Sequence, residues 1–443
     1  MLALALVSGS GCASSESSPA TDAGAADSAT VLPCTPDESA PVPERASYDT
    51  WTLVELPGTS CSDGSPYRFF ANYSHTSNNV LIMFEYGASC WDYESCSRCG
   101  LSTFCQSAKL AGFTNNTGIS TGHMDSHASY YALTAPSVGD PSAFRGWNIV
   151  YLPYCTGDMQ MGSRAAVYTG ADGTQLPYQH AGHDNMLLAS SWIDQTFPTV
   201  PRLAVLGVSS GGTAALVNYH LLRSRIKGAQ CGYLLNDSGP LFSSAGASGA
   251  LHRTLQDAYN VEPLIQMLGK DLGPEAADAI HNDFGAWATV LAKAYPRDRL
   301  TTALFQHDLN YLFFSYDSIA PGAPYADLAR AWQADLVALK AQHDSHANLA
   351  YFMPSFRPDN CSHALVIPPI SHLRELVAGQ LSLWFGTEIA DDGTDLAAFM
   401  RALVNDAIPL RSHFEAADTD GEFGEDGIEA CRTMGTTTAT PLP

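Results

Sequence analysis

The chain has 443 residues, 45% of them hydrophobic, and its formal charge of −23 comes from 22 Lys and Arg set against 45 Asp and Glu. That length can bury one large core or two modest ones, and no apolar run is long enough to cross a bilayer. With so few cations and no basic cluster, the composition argues against a nucleic-acid partner and against polyanionic substrates, unless a local basic patch offsets the field.

At the N-terminus, MLALALVSGSGC is a short apolar core running to a cysteine. It resembles a bacterial lipoprotein signal, with Cys12 as the lipidated residue. The alternative is an ordinary cleavable signal. Either reading implies export, to a bacterial cell surface or periplasm or as a secreted protein, with the membrane touched only through the lipid anchor. Residues 13–45 read as a disordered Ser/Ala/Asp-rich tether, and 46–440 as one domain. Setting Cys12 aside leaves ten of the 11 cysteines, an even number that suits an exported disulfide protein. Cys90, Cys96, Cys99 and Cys105 lie close together, but Cys96-x-x-Cys99 has no second pair at zinc-finger spacing. Disulfides are expected there, Cys99–Cys105 by proximity, and no metal.

Further along, Val80–Phe84 and Asn148–Leu152 are apolar runs of the kind that form buried strands. Leu203–Leu206 is a third, followed at once by Gly207-Val208-Ser209-Ser210-Gly211 and a helix over Thr213–Leu222. Cys231–Asn236, Tyr311–Tyr316 and Leu349–Met353 continue the strand series. Residues 249–294 read as several helices, a cap or insert. Tyr325–His343 and Leu373–Phe385 carry apolar residues at helical spacing. Strands alternating with helices predict an α/β-hydrolase-like fold, a mostly parallel sheet with helices on both faces.

Gly-x-Ser-x-Gly between a strand and a helix is the pattern of a nucleophile elbow, which lifts its serine clear of the sheet. Ser209 is therefore the candidate nucleophile. In this arrangement the acid follows the second strand after the nucleophile strand, and the histidine follows the third. Those positions fall on Asp317, after Tyr311–Tyr316, and on His363, after Leu349–Met353. Asp237 is also at a strand end, but one strand too early, and reads as a turn residue bonding local amides. His180 and His183 in a Gly-containing loop lack a third ligand and read as pocket or locally bonded residues rather than a metal site.

Several separate motifs in order resemble the pectin acetylesterase family, which includes Notum-like lipid deacylases. These are Cys61-Ser-Asp-Gly-Ser-Pro66, Glu85-Tyr-Gly-Ala-Ser-Cys90-Trp91, Pro153-Tyr-Cys-Thr-Gly-Asp158, Asp237-Ser-Gly239, the turn around Ser209, and Cys361-Ser-His363. The resemblance implies an oxyanion hole from Gly87 and Ala88 together with the Ser210 amide. It implies disulfides Cys61–Cys155 and Cys90–Cys96. Tyr86, Trp91, Asp158, His180 and Asp237 would line or support the pocket. Tyr86, Ala88 and Ser89 stand where the family often has Gly, Gly and Ala, which points to a restricted acyl pocket.

The expectation is an exported, monomeric serine esterase without cofactor that removes acetyl or other short acyl groups from a small molecule or polysaccharide. One alternative is a deacylase for longer chains on lipids, lipoproteins or polyesters. The other is an inactive, surface-tethered carbohydrate-binding homologue.

Overall fold

A computed structural model describes residues 33–87, 89–97, 105–107, 110–113, 117–124, 143–357, 359–367, 386–391 and 393–416. Met1–Thr30 and Val31–Pro443 separate into two units, and all the described residues belong to the second.

In chain order the strands are β1 (Trp51–Glu55), β2 (Arg68–Asn72), β3 (Val80–Phe84), β4 (Cys105–Ser107), β5 (Leu110–Phe113), β6 (Asn148–Leu152) and β7 (Arg164–Thr169). There follow β8 (Gln175–His180), β9 (Val200–Val208), β10 (Ala229–Asp237), β11 (Arg299–Ala303), β12 (Leu349–Met353) and β13 (His413–Phe414). Nine of them form one sheet in the order β1-β2-β6-β3-β9-β10-β11-β12-β13. The β1–β2 and β2–β6 pairings are antiparallel, and every pairing from β6 to β13 is parallel. The fold is thus α/β-hydrolase-like, with a large, mostly parallel sheet.

Every residue of β3 and β6 is buried, as their unbroken apolar sequences require of strands covered on both sides. The two-sided covering is explicit at β12, where successive side chains point to opposite faces. Ala350 and Phe352 join the main core with Phe399 from helix Leu396–Val404. Tyr351 and Met353 join a second cluster with Trp332, Leu336 and Leu339 from helix Tyr325–Asp344. Residues 249–294 form helices Gly249–Tyr259, Glu262–Leu272, Pro274–Asn282 and Trp287–Ala294. Their apolar faces, including Leu255, Leu264, Leu268 and Trp287, pack into the main core.

Two expectations need correction. Tyr311–Tyr316 is not a strand but part of helix Leu309–Ile319, whose first turn is capped by the Asp308 side chain accepting from Tyr311 N. Leu309, Leu312 and Tyr316 are buried at helical spacing, which outweighs the β-propensity of the aromatic run. The strand in question is β11, whose sequence RLTTA is too polar to read as an apolar run. Its polar groups are satisfied inside the protein. Thr301 Oγ1 donates to Leu234 O, Thr302 Oγ1 pairs with His343 Nε2, and the Arg299 guanidinium donates to the carbonyls of Ala402, Asp406 and Ile408.

The second correction concerns the tether, which does not extend to residue 45. Cys34 is disulfide-bonded to Cys231, Asn78 Nδ2 donates to Ala40 O, and Arg45 Nη2 donates to Thr196 O. A single disulfide to β10 anchors a segment whose composition alone looks disordered. Cys61–Cys155 and Cys90–Cys96 are bonded as the resemblance implies, and Cys361 is also disulfide-bonded. Cys12, Cys99 and the helix expected over 373–385 lie outside the described residues. No helix among the described residues is long and apolar enough to cross a membrane.

Candidate active site

β9 runs straight into helix Ser210–Arg225, and Ser209 is the residue between them, with φ 56° and ψ −124°. A positive φ is costly for a non-glycine residue and has to be imposed by its surroundings. The surroundings do so by crowding. A Cβ on Gly207 would collide with the Gly211 carbonyl, and one on Gly211 would lie 2.5 Å from both Phe84 O and Glu85 O. Glycine at both positions lets strand and helix approach this closely. The turn is tied by Ser209 N donating to Asp237 O at 2.7 Å and by Gly212 N donating to Ser209 O at 2.8 Å. Ser209 remains partly exposed in a neighbourhood that is otherwise buried. Ser210 opens the helix, so its backbone amide is among those with no partner within the helix. Its side-chain hydroxyl is buried with no hydrogen-bond partner among the described residues.

His363 lies in the loop after β12, where the strand count puts it. Its Nδ1 is 2.7 Å from Asp308 Oδ2. Asp308 stands in the loop after β11 and is fully buried. The acid expected at Asp317 is therefore corrected: Asp317 lies near the other end of the helix that Asp308 caps, and Asp308 is the carboxylate on the imidazole. The positional rule itself gives Asp308 once β11 replaces Tyr311–Tyr316 as the second strand after β9. Asp308 carried a legible signal, an N-cap Asp before residues 309, 312 and 316 at helical spacing. Burial pulls the His363 pKa down, but the charge and hydrogen bond of Asp308, with the more distant charge of Asp237, outweigh it and hold the ring above its ordinary value. Burial raises the Asp308 carboxyl against the opposing pull of the imidazole.

Asp237 also differs from its expected role. Its carboxylate does not bond local turn amides but accepts from the distant amides of Leu365 and Val366, and from Ser238 Oγ. Burial raises this carboxyl to about 6 against those hydrogen bonds. Sequence reasoning could not see these partners, since they come from the histidine loop across the fold.

The loop after β3 carries Glu85, Tyr86 and Gly87. Glu85, for which the sequence suggested no role, is fully buried and accepts from Tyr151 OH at 3.0 Å and Tyr154 N at 2.7 Å. His123 Nε2 lies 3.0 Å from the same carboxylate. These bonds fix the loop against the end of β6. Gly87 is buried, whereas Ala88 lies outside the described residues. Tyr86 is half-buried and packs against the main core. The Trp91 ring meets Phe314 edge-on at 6.0 Å, on the helix that begins after Asp308.

Asp158 and His180 form a separate buried support. Asp158 accepts from Thr156 Oγ1 and from the amides of Gln160, Gly162 and Gly182, which joins the loop after β6 to the start of helix Gly182–Thr196. Burial raises its carboxyl to about 6 against these bonds. His180 has its Nδ1 3.2 Å from Thr156 O and its Nε2 2.7 Å from Tyr168 OH. A carbonyl can only accept, so Nδ1 carries the proton and Nε2 accepts from the tyrosine. Burial holds this ring at about 4, keeping it neutral. Both nitrogens are engaged, which suits a structural histidine.

A family model described as pectinacetylesterase matches residues 44–271. Two structures of the Wnt deacylase Notum from Drosophila share the fold. One covers 82% of this chain and 97% of its own at 17% identity and a TM-score of 0.50. The other covers 85% and 99% at 18% identity and a TM-score of 0.51.

Proposed function

Because the chain belongs to the pectinacetylesterase family, and so to the carboxylic-ester hydrolases, we propose that it is an exported serine esterase acting through Ser209, His363 and Asp308. Two observations carry the reading: a strained, partly exposed serine at a strand–helix turn, and a buried His363–Asp308 pair delivered by later loops of the same sheet.

In this reading Asp308 accepts from Nδ1–H, which fixes the tautomer and leaves Nε2 as the basic nitrogen. His363 takes the Ser209 proton as Oγ attacks the ester carbonyl. The Ser210 amide, with amides of the 87–88 loop, stabilises the tetrahedral oxyanion. Collapse of that state forms an acyl-enzyme, with His363 returning the proton to the departing alcohol. Water, activated by the same imidazole, then releases the acid and restores Ser209.

Short acyl groups on a carbohydrate are the substrate class we favour, supported by the family and by a bulky, half-buried Tyr86 next to Gly87 in the chain. The charge of −23 favours neutral glycans over demethylated pectin. Disulfides at Cys34, Cys61 and Cys90 suit an oxidising compartment, in line with export. A longer acyl chain is the second reading, favoured by the apolar Trp91–Phe314 contact and by the deacylase named among the solved relatives.

A p-nitrophenyl ester series on the pure protein tests both. Turnover that falls steeply beyond propionyl supports the first reading, and a maximum at butyryl or longer supports the second. Ser209→Ala is expected to lower kcat by about 10⁶-fold, and near-normal turnover in that variant would remove Ser209 from the mechanism.

A further inference from the structure

The end of β10 is the point where the nucleophile turn and the histidine loop meet. The backbone carbonyl of Asp237 accepts from Ser209 N at 2.7 Å. Its carboxylate accepts from Leu365 N at 2.9 Å and Val366 N at 2.8 Å, residues that directly follow His363 and Ala364. Ser238 Oγ donates to the same carboxylate at 2.9 Å and accepts from Ala364 N at 3.1 Å. Three successive amides after the histidine are thus held by two adjacent side chains. Ser238 N donates to Ala303 O at the end of β11, the strand that leads to Asp308. Thr213 Oγ1 donates to Gly239 O, which ties the same turn to the helix behind Ser209.

The histidine loop needs such a hold. Cys361, Ser362 and Ala364 all have positive φ, so three non-glycine residues around His363 sit in strained backbone that persists only where the surroundings over-determine it. A fully buried carboxylate is also costly, and Asp237 has no Lys or Arg partner among the described residues. Packing alone would not require the charge. A carboxylate is the side chain that accepts from several convergent N–H groups without presenting a donor of its own.

We propose that Asp237 is a positioning residue, a buried clamp that fixes the His363 loop relative to Ser209, with Ser238 as its second jaw. The inference rests on the esterase reading for its consequence in catalysis but not for its consequence in the loop. Asparagine at 237 keeps one acceptor oxygen in place of two, so its N–H₂ faces either Ser238 Oγ or the amides of residues 365 and 366, and a donor now held by the carboxylate loses its acceptor. The imidazole would then lose its register with the serine, and a misplacement near 1 Å costs roughly 10²-fold in rate. Among the described residues, the charged groups that act on the ring include Asp308, which is bonded to it, and Asp237. Removing the second charge should lower the pKa of the ring with Asp308 still in place.

The test is a ¹³C-histidine NMR titration of His363, assigned by His363→Gln, together with amide exchange at residues 364–366 and p-nitrophenyl acetate kinetics, in wild type and Asp237→Asn. The clamp predicts a lower His363 pKa, faster exchange at Leu365 and Val366, and kcat down about 10²-fold with KM within threefold. A folded Asp237→Asn with ring pKa, exchange and kcat all unchanged would overturn it. If wild type has no esterase activity but the ring and amides respond as predicted, the esterase reading fails and the clamp stands. Should Asp237→Asn not fold, Ser238→Ala removes only the second jaw. Faster exchange at Ala364 with a smaller loss in kcat supports the clamp, and no change in either overturns it.

Discussion

Asp308 and His363 lie far apart in the chain, yet their side chains approach to 2.7 Å because parallel β11 and β12 release both residues at the same edge of the sheet. The pair separates two carboxylates on one helix, Asp308 at its N-cap and Asp317 near its end. Asp308→Asn is expected to reduce kcat by about 10³- to 10⁴-fold, because Asn no longer fixes the Nδ1–H tautomer. Asp317→Asn is expected to keep kcat within twofold. Steady-state kinetics of the two variants side by side decide the assignment.

The same pair sets the pH response. In the proposed mechanism His363 has to be neutral to accept the serine proton, and its pKa is held above the ordinary 6.5. Activity should therefore rise with pH through a value above 6.5 and be lost as the ring protonates below it. In Asp308→Asn the residual kcat/KM should titrate at lower pH, since burial would then act on the ring with less opposition. The pH dependence of kcat/KM in both proteins checks this, and an unshifted acid limb would detach His363 from Asp308.

Crowding at the elbow predicts a stability effect. Gly211→Ala puts a methyl group 2.5 Å from two backbone carbonyls of the β3 loop, neither of which can swing away as a side chain would. The expected cost is on the order of 3 kcal/mol, read as a lower urea midpoint, with activity falling because Ser210 N moves with the turn.

The N-terminal segment offers a separate check. Arg45 donates to Thr196 O and lies over the Tyr73 ring at 4.8 Å, in a segment held by Cys34–Cys231. The Cys34→Ser/Cys231→Ser double variant should lose about 2–4 kcal/mol and become open to trypsin after Arg45, where wild type resists cleavage.

Much of the frame was legible because most of the parallel strands buried on both faces are apolar throughout. Val80–Phe84, Asn148–Leu152 and Leu349–Met353 are strands with the limits their sequences suggest. The turn at Ser209 was legible because its glycines answer a steric need that few other residues meet. β11 was hidden because its threonines and arginine find hydrogen-bond partners that only the fold supplies, and this one omission moved the expected acid from Asp308 to Asp317. The partners of Asp237 were hidden for the same reason. A carboxylate's distant amides leave no periodicity in the chain, so a turn residue and a clamp read alike.

Intact-mass and peptide mapping after exposure to a fluorophosphonate probe tests the central claim most directly. The account predicts a single adduct on the peptide carrying Ser209, formed at least about 10³-fold more slowly in His363→Ala. A folded protein that takes no adduct at Ser209, or reacts equally fast without the imidazole, would contradict it.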